Sequence, residues 1–290
     1  MRKIFISCLL FILACSATQA QLLWRITGKG LKHPSYLFAT HHYIPIEYLD
    51  SVPGLYKAFN ECETVVGEVA LSRIDAIDRL QNAASMPNHT RINDLLKNER
   101  YAIVDSSLRK VMKLGLKDFA MMNPSLILSL YKMELYKKST KQTDDTQSDS
   151  YFQLIAEQKD KKVMGLETVE QQIDALFGNG TLQRQADILY QNVVLKNEVL
   201  DKISKSVKLY KAGKINEVYY LSKGFGLASD YSEAEFSKLV DERNEKWMQK
   251  LPGYIKNSSC FITVDAIHLP GNTGLIKLLE KAGYHVSAVK

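Results

Sequence analysis

The chain has 290 residues, of which 46% are hydrophobic and 24% charged. A mean hydropathy of −0.18 excludes a polytopic membrane protein, and the composition is too apolar for a disordered chain. The formal charge of +6 is small for this length and does not suggest a nucleic-acid binder.

Arg2 and Lys3 precede an apolar run from Ile4 to Ala14, and Thr18-Gln19-Ala20 follows with small residues at the −3 and −1 positions. The run is too short to cross a bilayer of about 30 Å, so residues 1–20 read as a secretory signal peptide cut after Ala20. That places the mature chain, 21–290, in the periplasm or outside the cell. Ile12-Leu13-Ala14-Cys15 offers a degenerate alternative, a lipoprotein anchored at Cys15. In either case Cys62 and Cys260 are too few for a disulfide framework or a structural zinc site.

Leu22–Thr27 and Tyr36–Thr40 flank Gly28-Lys29-Gly30 and predict an opening pair of strands. A helix is expected after Pro53, and Thr64–Val69 is a short buried strand. Ile74, Ile77 and Leu80 begin a helical pattern that runs to about Ser139. Lys141–Ser150 reads as an exposed polar loop, and Lys162–Leu166 as another strand. Helices then occupy Val169–Lys250, broken near Gly178–Gly180 and Gly224–Gly226. Cys260–Ile267 is the clearest strand. After it come a Pro-Gly turn, a helix over Thr273–Ala282 ended by Gly283, and a final strand, His285–Val289. The expectation is an α/β domain, its mostly parallel central sheet carrying a large helical insertion at about 72–250.

Four of these strands run into ionisable residues: His41-His42, Glu68, Glu167 and His268. Open parallel sheets place their functional crevice at the carboxyl ends of the strands, and buried carboxylates need partners or metal. Two imidazoles with one or two carboxylates at that edge would suit a divalent ion with an open position for water. Side chains alternate along a strand, so only one of His41 and His42 should face the crevice. Lys202, Lys205, Lys208 and Lys211 read as a solvated helix face rather than a polyanion site.

Leu22-Leu23-Trp24-Arg25-Ile26, followed by Pro34-Ser35-Tyr36-Leu37-Phe38-Ala39-Thr40-His41-His42, resembles the opening of the TraB/GumN family. The resemblance continues through Glu68, Leu166-Glu167-Thr168 and Arg243-Asn244-x-x-Trp247. It ends on Val264 to His268-Leu269-Pro270-Gly271, Gly274-Leu275 and Gly283-Tyr284-x-Val286. It implies an erythromycin-esterase-like fold and, through the related Tiki proteins, a metalloprotease-like site. By that resemblance His42, Glu68 and His268 hold a divalent metal (Mn, Co or Zn) and perform the chemistry. Arg243 joins them as a catalytic residue, and Arg243, Asn244, Glu167 and Asp265 face the substrate. The implied activity is a metal-dependent, peptidase-like hydrolysis of a peptide or small-molecule substrate. The alternatives are a metal-independent esterase-like hydrolase and a non-catalytic binding protein of the same fold. Ala39 and Asp265 stand where the family has glycine. Asp265 adds a carboxylate that could pair with Arg243, act as an extra ligand or obstruct the pocket.

Overall fold

The computed structural model describes residues 21–70, 79, 83–143, 148–224 and 231–290, and of Asp149 the backbone only. The signal peptide with its Cys15 alternative, the helical repeat at Ile74, Ile77 and Leu80, and the break at Gly226 lie outside the described residues.

Six strands form one sheet: β1 (Leu23–Thr27), β2 (Ser35–Thr40), β3 (Thr64–Gly67), β4 (Lys162–Gly165), β5 (Cys260–Asp265) and β6 (His285–Ala288). Their order is β4-β3-β5-β2-β1-β6. The four strands from β4 to β2 are mutually parallel, while β1 runs antiparallel to both β2 and β6. The antiparallel edge follows from chain length: the short turn at Gly28–Gly30 cannot make a parallel crossover, whereas the β2-to-β3 link contains helix α1 (Leu55–Glu61).

Both faces of β2, β3 and β5 are buried, whereas β4 at the edge is partly exposed. Phe38 and Phe261 pack against Phe152 and Phe59, with ring centroids 4.9–6.2 Å apart. The alternating residues Leu37, Ala39, Ile262 and Val264 are equally inaccessible on the other face.

Beyond a single turn at Ile92–Leu95, the helical part includes α2 (Asn98–Met112), α3 (Pro124–Thr140), α4 (Ser148–Gln158), α5 (Val169–Phe177), α6 (Leu182–Val194), α7 (Lys196–Lys211), α8 (Ile215–Lys223), α9 (Glu233–Leu239), α10 (Asp241–Trp247) and α11 (Leu251–Asn257). Between them β4 returns to the sheet, so the insertion is interrupted by one strand. A second apolar cluster, including Val104, Leu108, Ile127, Tyr131 and Leu189, belongs to α2, α3 and α6. The helical part therefore has a core of its own. Among the described residues no helix is long and apolar enough to cross a membrane.

Three local outcomes differ from the sequence pattern. The expected loop Lys141–Ser150 already enters α4 at Ser148. Helix α11 forms beyond Lys250 because Pro252 falls in its first turn, where a missing N–H costs nothing. Strand β5 stops at Asp265 instead of Ile267, because the Asp265 carboxylate accepts the Ile267 N–H at 3.1 Å and caps a 3-10 turn, Ala266–His268. The last helix, α12 (Leu275–Lys281), ends as expected. Gly283 at φ +90° lets its own N–H and that of Tyr284 close on Glu280 and Leu279.

Candidate functional site

The parallel register brings the crevice residues together. Thr40 lies opposite Asp265, and Val66 opposite Ile262, so the chain after β3 and the end of β5 reach the same level. Glu68, just past β3, accepts the Asp265 N–H on Oε1 at 3.0 Å. Glu167 follows β4, and its N–H donates to Glu68 O at 2.9 Å. The next residue, Thr168, caps α5 in a reciprocal box with Gln171, which anchors the backbone beside Glu167.

Helix α10 supplies the cation. Arg243 Nη2 lies 2.6 Å from Glu68 Oε2 and 2.6 Å from Glu167 Oε1, and Nε donates to Glu167 Oε2 at 3.2 Å. Nη1 donates to Leu239 O at 3.2 Å and to His268 Nε2 at 3.3 Å. These contacts engage all five guanidinium N–H groups. One helical turn on, Trp247 stacks against Arg243 and His268 and donates from Nε1 to Glu167 Oε2 at 3.1 Å. The i, i+4 spacing of Arg243 and Trp247 signals this shared face, although a role for Trp247 was not expected.

Asn244 fixes the histidine. Its amide nitrogen donates to His268 O at 3.0 Å and Thr273 O at 2.9 Å, so Oδ1 faces His268 Nδ1, 2.8 Å away. Nδ1 then carries the proton, and Nε2 presents a lone pair toward Arg243 and toward Glu68 Oε1, 3.9 Å distant. Burial, reinforced by the Arg243 charge, pushes the imidazole down to about 3, so it is neutral. Burial alone would raise the Glu68 carboxyl, but the guanidinium outweighs it and holds Glu68 at about 2. At Glu167 and Asp265 burial prevails and the carboxyls are pushed up.

His42 stands at the mouth of the cluster. Its side chain is 51% exposed, and Nε2 lies 3.5 Å from Asp265 Oδ2. His41 points away, as alternation requires: it is buried against Tyr210, with Nε2 2.9 Å from Ser206 Oγ. Arg243 bonds Glu68 directly, not Asp265. Asp265 turns instead to His42, and Glu167 takes the remaining place. Neither family departure strains the chain. Asp265 sits at φ −56°, which any residue adopts, and Ala39 is fully buried within β2.

Two carboxyl groups, Glu68 and Glu167, face one guanidinium, and His268 carries an unprotonated nitrogen beside Glu68, donor types that a divalent cation takes. The geometry is not that of a closed coordination sphere. Among the described residues no three His, Cys, Asp or Glu side chains are grouped so as to hold an ion, and the Arg243 guanidinium donates to both Glu68 and His268.

Fold and site thus define an α/β protein whose parallel strands end on a buried ion-pair network. The chain belongs to the TraB/PrgY/gumN family, whose model matches residues 22–288. No curated protein and no solved structure gives a significant match.

Proposed function

We propose that the chain is a metal-assisted hydrolase of peptide bonds, exported to the periplasm or beyond. The observation that carries this reading is the placement of the buried Glu68–Arg243–Glu167–His268 network beside Asp265, whose carboxylate faces the half-exposed His42. Glu68 and His268, with His42 at the rim, would hold the divalent ion (Mn, Co or Zn). Bound there, such an ion polarises a carbonyl and lowers the pKa of water.

The chain's own residues prepare the site. Asn244 keeps the His268 proton on Nδ1, in the manner of the outer partners that orient metal-bound imidazoles. Arg243 keeps Glu68 ionised and braces Glu167, and it would face the substrate after releasing one of its bonds. His42, oriented by the Asp265 carboxylate, is the group best exposed to exchange a proton with solvent or substrate.

The His42–Asp265 contact also favours a second reading, a metal-independent hydrolase of esters or other small molecules with His42 as general base. Elemental analysis of the purified protein and of His42→Ala and His268→Ala, combined with a peptide and ester panel with and without chelator, separates the two. About one ion per chain, lost in both variants together with peptide hydrolysis, is the expected result. Chelator-insensitive ester hydrolysis without metal selects the second reading. Absence of metal and of all hydrolysis leaves a binding protein and overturns both.

A further inference from the structure

Behind the rim of the crevice, between the end of β2 and helices α7 and α9, lies a cavity of ≈ 220 Å³. Its wall includes chain neighbours of the candidate site. Tyr43 is the residue after His42, Ile267 precedes His268, and Leu239 carries the carbonyl that accepts from Arg243 Nη1. Val199, Ile203, Leu221 and Phe236 make the remaining apolar lining. The volume lies below the roughly 300–1,000 Å³ of pockets that enclose a whole small ligand, and suits one branched or aromatic side chain.

Ser206 brings a hydroxyl of fixed orientation into this wall, beside the polar side chains of Asn192, Ser222 and Tyr231. The Tyr43 backbone N–H donates to His41 Nδ1 at 3.3 Å, so Nδ1 is the acceptor nitrogen and the ring proton sits on Nε2. Nε2–H therefore donates to Ser206 Oγ at 2.9 Å. Ser206 is thus not deprotonated by His41, because a general base would have to accept from the hydroxyl. Its own O–H hydrogen is left to donate, and Ser206 lines the cavity. Lys132 and Lys202 also lie along the lining, and its apolar walls are unfavourable to a charged side chain.

We infer that this cavity is the specificity pocket of the site. It takes a bulky apolar side chain of a peptide, next to the scissile bond, while the Ser206 hydroxyl donates to a substrate carbonyl. The inference rests on the hydrolase reading above and adds the class of peptide. Selectivity of this kind is modest: a methylene in an apolar pocket is worth about 10–200-fold in kcat/KM.

The test compares peptides that differ at one position, carrying Leu, Phe, Gly or Lys, in wild type, Ile203→Trp and Ser206→Ala. Wild type is expected to prefer Leu or Phe over Gly by about 10-fold or more and to disfavour Lys. Ile203→Trp fills the cavity and should bring the Leu-to-Gly ratio close to one. Ser206→Ala, which keeps the pocket's shape, should lower kcat/KM about 2- to 10-fold for all peptides without changing the ratio. Cleavage without preference, or a preference that survives in folded Ile203→Trp, overturns the pocket assignment but leaves the hydrolase reading. If no peptide is cleaved, the hydrolase reading fails and calorimetric titration with N-acetyl-phenylalaninamide still decides the pocket. Binding that Ile203→Trp abolishes supports it, and no binding to wild type refutes it.

Discussion

Replacing Arg243 with Met removes the one cation of the buried cluster while keeping most of its apolar stem. Glu68 and Glu167 then face each other without a counter-charge, and Trp247 loses its stacking partner. The guanidinium holds the Glu68 carboxyl well below its ordinary range against the cost of burial. Removing one partner of such a buried ion pair costs roughly 3–5 kcal/mol. The folded pKa of Glu68 is depressed, so its stabilisation is fully present above about pH 4.5 and is lost as pH falls toward 2. In the variant the two carboxyls become easier to protonate, and acid relieves their repulsion. Urea denaturation at pH 7 should therefore show a loss of about 3–5 kcal/mol for Arg243→Met, with the gap to wild type narrowing clearly by pH 4. A deficit below about 1 kcal/mol, or one that stays constant with pH, would refute the view that this network is a folding element.

Three further outcomes follow from single contacts. Gly274→Ala would place a Cβ 2.0 Å from Pro270 O, a backbone atom that cannot swing aside, so the variant should melt well below wild type or fail to accumulate. Asn244→Leu removes the acceptor for His268 Nδ1–H and should cost about 1–3 kcal/mol in urea denaturation; nitrogen NMR should show His268 losing its single tautomer. Cys62 and Cys260 are both free and buried, with thiols pushed up to about 12 by burial, and alkylation of unfolded, non-reduced protein starting at Gln21 should label two thiols per chain.

The parts of this arrangement that rest on local pattern were legible in the sequence. Short β-branched runs marked β3 and β5, and strands ending on Glu68, Glu167 and the two histidine segments marked the carboxyl-end crevice. The alternation rule assigned His41 and His42 to opposite sides. What stayed hidden depends on contacts between distant segments. Nothing local in Arg243 says that it will grip Glu68 and Glu167 together, because those carboxylates meet only when β3 and β4 pair. Nor does a strand-like run such as Cys260–Ile267 reveal where it will stop, since the stop is made by the Asp265 side chain folding onto its own backbone.

That same aspartate explains how a family position can change without loss of the fold. A carboxylate three residues before His268 looks obstructive on the chain, because the family has no side chain there. In the folded protein it does not enter the Arg243 network. One oxygen accepts the Ile267 N–H and shapes the 3-10 turn that carries His268, while the other faces His42 at 3.5 Å. Its backbone N–H meanwhile holds Glu68 Oε1. Asp265 therefore links the exposed histidine to the buried glutamate through adjacent atoms of one residue. A shift in its backbone would be felt at His42, Glu68 and His268 together.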